Sequence, residues 1–129
     1  MYLLLDTSTP VCDLTLVDGA GNFHTVTWQA DRTLARDLLA WLRDQLAMHG
    51  MTWQDIQGIG VMQGPGSFTG LRIGMTVLNT MAHDLGVSIV GETGDSWREQ
   101  AITRLLDGDN DEIILPLYGR DATITTPRK

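Results

Sequence analysis

Cysteine is nearly missing from this chain. A single one, Cys12, stands among 129 residues, which excludes an internal disulfide and leaves no cysteine set to anchor a metal. It falls inside an alternating apolar pattern, where a small buried residue is expected rather than a nucleophile. Basic residues are scarce as well. Nine Lys and Arg against sixteen Asp and Glu give a formal net charge of −7. Tight nucleic-acid binding needs clustered cations to neutralise phosphates. The nearest cluster, Arg32, Arg36 and Arg43, is interleaved with Asp37 and Asp44 and reads as a solvated helix face. No apolar run approaches the roughly 20 residues that cross a bilayer. The opening MYLLLD lacks the basic flank and long apolar stretch of a secretion signal. The expectation is therefore a cytoplasmic protein without a membrane partner.

Glycine, by contrast, is plentiful, with fourteen residues. Its densest stretch is MQGPGSFTGLRIG, Met62 to Gly74. A glycine-rich turn between an apolar run and a helix pattern commonly holds a phosphate on helix-terminal amides. Two standard versions fail here. A Walker loop needs four residues between its glycines and then Lys and Ser or Thr, whereas Gly64 and Gly70 enclose five and Leu71-Arg72 follow. The dinucleotide fingerprint would need glycine at Thr69. The mechanical reading is that Gly66 and Gly70 permit a tight turn into a helix, with Ser67 or Thr69 as its cap.

Periodicity places the elements. Tyr2 to Asp6, Cys12 to Asp18 and Phe23 to Gln29 read as three strands joined by turns. Leu34, Leu38, Leu42 and Leu46 mark a helix, with Thr33 as N-cap and Gly50 as stop. Ile56 to Gln63 is a strand, Leu71 to Leu85 a helix and Val87 to Glu92 a strand. Asp95 caps a third helix over Ser96 to Leu106. Glu112 to Tyr118 closes as an edge strand marked by Pro116, before a polar tail. The order β-β-β-α-β-α-β-α-β, with right-handed crossovers, predicts an α/β fold of the ribonuclease-H-like or actin-like ATPase half-domain type. The whole chain, 1–129, is expected to be one such lobe.

Catalytic sets do not assemble. Asp6, Thr7 and Ser8 end the first strand, where a two-metal nuclease would carry its first carboxylate, but the fourth strand ends in Met62-Gln63 without an acid. His24, His49 and His83 have no metal-ligand spacing, and Ser67 lies in GSFTG rather than in a nucleophile elbow. The second helix carries more than one apolar row: Leu71, Met75, Leu78, Ala82 and Leu85, and separately Ile73, Val77 and Met81 with Gly74 between them. Trp41 and Met48 lie off the leucine row of the first helix. Extra rows of this kind point to a helix interface with another chain, with Trp41, Ile73, Gly74, Val77 and Met81 as its residues.

The segments LLLDTSTPVCDLTLVD, GPGSFTGLRIG and GVSIVGETG together resemble the TsaB (YeaZ) family of tRNA threonylcarbamoyladenosine biosynthesis proteins. The match runs from Tyr2 to about Ala101, and LPLYGRD is similar to the family's closing strand. The resemblance implies an actin-like lobe whose nucleotide site has degenerated. Asp6, Thr7 and Ser8 would then be a vestigial phosphate loop. Gly64, Pro65, Gly66, Ser67, Phe68, Thr69 and Gly70 would be the family turn, kept to position the second helix. It also implies an accessory, non-catalytic subunit with no cofactor or metal of its own. Such a subunit docks through its first two helices on a TsaD-type enzyme that carries ATP and a metal ion, with a TsaE-type ATPase as a further partner. In isolation it would be a homodimer, and it would meet tRNA only through the complex. The sequence departs from the family where Leu34, Ala35 and Arg36 replace its usual HSE, and in having only residues 107–129 where the family has a second lobe. The competing expectation is a small nucleotide-binding or nucleotide-hydrolysing protein using the same two loops.

Overall fold

The computed structural model describes residues 1–117. Strand β1 (Tyr2–Asp6) is apolar on both faces and lies at the centre of a five-stranded sheet of order β3-β2-β1-β4-β5. Strands β2 (Val11–Val17) and β3 (Phe23–Gln29) continue from it as an antiparallel meander. Strands β4 (Gly58–Met62) and β5 (Ser88–Glu92) are parallel to it on the other side, as right-handed strand–helix–strand crossovers require.

Helices α1 (Leu34–Met48) and α2 (Phe68–Leu85) cover one face. Leu34, Leu38, Leu42 and Leu46 recur every four residues and are all buried there, against Leu3, Leu5, Leu14 and Leu16 of the sheet. Each such leucine contributes about 1.5–3 kcal/mol of transfer free energy. Helix α3 (Trp97–Leu106) covers the opposite face with Trp97, Ala101 and Leu105 at the same spacing, packed on Leu4 and Val90. This is the ribonuclease-H-like, actin-like architecture that the element order predicts. Among the described residues no helix is long and apolar enough to cross a membrane.

Local signals differ from the sequence reading at four places. The Thr33 hydroxyl caps nothing and donates back to the Ala30 carbonyl at 2.7 Å. A 3-10 turn over Asp31–Thr33 already runs into α1, with the Thr33 amide donating to the Ala30 carbonyl at 2.9 Å. Helix α2 begins at Phe68 rather than Leu71, so Phe68, Thr69 and Gly70 are its first turn, and of the Gly64–Gly70 turn only Gly64 to Ser67 is connection. Ser96, not Asp95, holds the cap position of α3, and no side chain bonds there.

The expected final strand is absent as far as Leu117; Tyr118 and the polar tail lie outside the described residues. The reason is that the outer edge of β5 is already taken. The Asn110 side-chain oxygen accepts from the Ile89 amide (3.1 Å), the Asp111 amide donates to the Ile89 carbonyl (2.8 Å), and Asp111 Oδ2 accepts from the Gly91 amide (2.9 Å). Arg104 fixes this cover by pairing with Glu92, Asp109 and Asp111. Glu112–Leu117 is instead held at separate points, the Glu112 amide donating to the Asn110 side-chain oxygen and the Leu117 amide to the Gln63 carbonyl. Asn79 brackets Ile114 through both its backbone groups, and Gln63 bonds the Leu115 carbonyl.

Candidate functional site

Because β1 and β4 are parallel neighbours, the chain leaves both at the same end of the sheet. Asp6-Thr7-Ser8 and Gly64 to Gly70 therefore lie side by side, in the position where open α/β sheets hold ligands. Here the two segments hold each other. The Thr7 hydroxyl is buried and donates to the Gly70 carbonyl at 2.8 Å. The Ser67 amide donates to the Ser8 carbonyl at 2.7 Å. Ser67 is the N-cap of α2, its hydroxyl accepting from the Gly70 amide at 3.2 Å. Asp6 Oδ1 accepts from the Ser8 amide (2.8 Å) and the Ser8 hydroxyl (2.6 Å).

Three amides that could cradle a phosphate, those of Ser8, Ser67 and Gly70, are thus spent on protein oxygens. The glycines explain how this is possible. A Cβ on Gly66 would stand 2.5 Å from Ser8 Cβ; one on Gly70 would overlap the Thr7 carbonyl oxygen, and one on Gly74 the Thr7 hydroxyl. Gly70 and Gly74 are four apart on one face of α2, and Gly66 lies just before the helix cap. They form a seam on which Thr7 and Ser8 sit. The sequence reading expected Gly74 at an outer helix contact. The structure turns it inward, buried under Thr7.

The remaining chemistry in this region is quiet. The Cys12 thiol is pushed up to about 12, by burial first and then by the charges of Asp13 and Asp6, so it is protonated and inert at neutral pH. Among the described residues no three His, Cys, Asp or Glu side chains are grouped to hold a metal ion. On β2, Asp13 is paired with Arg98 of α3 at 2.8 Å, a cross-fold tie rather than an open carboxylate.

The outward side of α1 and α2 is different. Ile73 and Val77 are only half-buried; Val77 borders two shallow depressions of about 400 Å³ each, and Ile73 the first of them. One is lined with Ala35, Phe68 and Thr76, the other with Leu39, Trp53, Thr76 and Leu85. Leu39 and Phe68, one in each depression, are exposed by 54% and 53%, large values for apolar side chains. Arg72 lies over the Phe68 ring, 5.1 Å from its centroid. The result is a trough with apolar walls between two helices.

Two other residues expected at this contact are engaged mainly inward. Trp41 is half-buried with its ring 5.1 Å from that of Trp28 on β3. Two residues from Leu39, it lies about 160° around the helix from the trough. Met81 is 7% exposed and belongs to the core on its inner side, while also lining the second depression. The sequence reading missed Leu39 and Trp53. Leu39 follows Leu38 directly, and a second leucine off the every-fourth row was its available signal. Trp53 sits in a 3-10 turn with no periodicity to mark it.

A family model described as TsaD, tRNA N6-adenosine threonylcarbamoyltransferase, matches residues 26–93. Among curated proteins, the chain is 30% identical to the tRNA threonylcarbamoyladenosine biosynthesis protein TsaB of Escherichia coli (strain K12), over 92% of this chain and 55% of that protein. It is 28% identical to the TsaB of Haemophilus influenzae, over 84% of this chain and 45% of that one. Of solved structures, it is similar to YeaZ from Pseudomonas aeruginosa, with a TM-score of 0.65 and 30% identity over 78% of this chain and 50% of that one. A second Pseudomonas aeruginosa structure, an uncharacterized protein described as similar to peptidase YEAZ, gives a TM-score of 0.66 at the same identity. The chain spans about half the length of the curated relatives it matches.

Proposed function

The chain belongs to the TsaB (YeaZ) family, and from that premise we propose that it is a non-catalytic scaffold subunit. It supports a TsaD-type enzyme in placing threonylcarbamoyl on the adenosine beside the tRNA anticodon. The observation that carries the reading is the apolar trough between α1 and α2, where Leu39, Phe68, Ile73 and Val77 stay exposed or half-buried. A partner's helices would cover it, and in their absence a second copy of this chain would do so as a homodimer. A TsaE-type ATPase is the further member of the assembly. ATP and a metal ion belong to the catalytic subunit. This chain contributes shape and an anionic body of formal charge −7, so tRNA is met by its partners.

The interlocked loops support the same reading. An accessory subunit requires α2 to be held rigidly at its first turn, and the Thr7–Gly70 and Ser8–Ser67 bonds do that. The interlocked loops also occupy the Ser8, Ser67 and Gly70 amides, which the rival nucleotide-binding reading would have to offer a phosphate.

The test is reconstitution. TsaD-type and TsaE-type subunits from the same cell are combined with tRNA, ATP, threonine-derived donor and this chain, and the modified nucleoside is quantified. The modification is expected only with the chain present, and Val77→Glu is expected to remove both the co-purifying enzyme and the product. Robust Mg²⁺-dependent ATP hydrolysis by the isolated chain, lost in Asp6→Asn, would favour the nucleotide-hydrolysing reading instead.

A further inference from the structure

The two edges of the sheet are treated in opposite ways. On β5 the outward backbone groups are taken by Asn110 and Asp111, and Arg104 locks that cover in place. On β3 nothing comparable is found. Strand β3 is the outermost strand on its side, and among the described residues it pairs with β2 alone, through all seven of its positions. Its sequence, FHTVTWQ, contains no Lys, Arg, Asp, Glu, Pro or Gly. Natural edges are blunted with charges, proline, bulges or very short strands, because an open row of N–H and C=O groups is a template for another strand. This edge is seven residues long, regular and without Lys, Arg, Asp or Glu, and rich in the β-branched and aromatic types that pair well.

We infer that β3 is a second association surface, and that its occupant is β3 of another copy of this chain, paired antiparallel about Val26. The register follows from length, since centring on Val26 is the one two-fold arrangement that pairs all seven residues. It sets Phe23 opposite Gln29 of the second copy, His24 opposite Trp28, and Thr25 opposite Thr27. No Lys, Arg, Asp or Glu faces another. Thr–Thr pairs and aromatic pairs are favourable cross-strand neighbours, so the strand is complementary to itself. The paired strands are about 23 Å long and bury less than the roughly 800 Å² per partner of a standard interface. The pairing is therefore weak and reversible, and it is separate from the α1–α2 trough. Two scaffold subunits, each with its trough occupied, would be joined edge to edge through one continuous sheet.

Disulfide trapping tests both the surface and its register. Facing Cα atoms in an antiparallel pair are about 4.5–5.5 Å apart, within disulfide reach. Val26→Cys should therefore link two copies at the two-fold. In the same arrangement two copies of Thr27 are displaced along the strands to about 8 Å, beyond that reach. Thr27 is the more exposed of the two positions, so random collision would favour Thr27→Cys, whereas the proposed register favours Val26→Cys. Cys12, buried and protonated, does not compete.

The expected result under mild oxidation is at least tenfold more cross-linked dimer from Val26→Cys than from Thr27→Cys. It should appear equally in a Val77→Glu background, where the helix contact is disabled. Equal or reversed yields, or none from a folded Val26→Cys chain, overturn the inference while leaving the scaffold reading intact. If Val26→Cys does not fold, amide exchange of the unmodified chain decides. Outward amides of β3 should slow at least tenfold between dilute and concentrated protein, and exchange that is independent of concentration overturns the inference.

Discussion

Gly70→Ala isolates the seam between the two loops. The added methyl would overlap the Thr7 carbonyl oxygen, which belongs to backbone and cannot rotate away. Overpacking of this kind costs about 1–3 kcal/mol, and a fixed backbone neighbour puts Gly70 at the upper end. Separating the loops also strains the buried Thr7–Gly70 hydrogen bond, worth about 1 kcal/mol. Alanine is a better helix former than glycine by up to about 1 kcal/mol, which offsets part of the loss. The net expectation is about 3 kcal/mol of destabilisation, or about 10 °C in Tm for a chain of this size. Differential scanning calorimetry measures it, with Gly19→Ala as control. Gly19 has open space around its missing side chain, so that change should stay within about 0.5 kcal/mol. If Gly70→Ala melts within about 2 °C of the parent, the glycine spacing does not serve this packing and the account of the turn is wrong.

Thr7→Val keeps the shape but leaves the Gly70 carbonyl without its hydroxyl donor. Chemical denaturation should show a loss of about 1–2 kcal/mol. Val77→Glu should give a folded monomer by sedimentation at micromolar concentration, and a persistent dimer under those conditions would refute the trough as the dominant contact. The Asp111 carboxyl is held below the usual range, chiefly by its hydrogen bond to Arg104. A depressed carboxylate stabilises the fold above its unfolded pKa, about 3.9, and that contribution is lost as pH falls through the folded value. Arg104→Gln should accordingly flatten the loss of stability below about pH 4, read from urea midpoints across pH 2–7. Cys12 should resist thiol reagents at pH 8 in the native chain and react only on unfolding; rapid labelling of folded protein would contradict its burial.

Much of the fold was legible because its signals are local. The leucines at 34, 38, 42 and 46 mark α1 by spacing, the alternation in β2 and β3 marks a meander, and an apolar run bounded by turns marks β1. Parallel placement of β4 and β5 then follows from the handedness of crossovers rather than from any residue. Ser67 was one of two capping candidates, and its hydroxyl proves to be the one that caps. What sequence alone could not supply was the partner of each glycine and each apolar row. Gly74 reads as small whether it meets Thr7 or another helix, and only the lateral placement of β1 beside β4 puts Thr7 above it. Trp41 reads as a surplus aromatic until the sheet order brings Trp28 of β3 beneath it. The closing strand failed for the same reason. Ile113 to Leu117 has strand composition, but strand formation depends on a free edge. Asn110 and Asp111 had already claimed that edge through contacts some twenty residues distant along the chain. Periodicity fixes which side of an element is apolar, whereas only tertiary packing decides whether that side meets the core, another element or solvent.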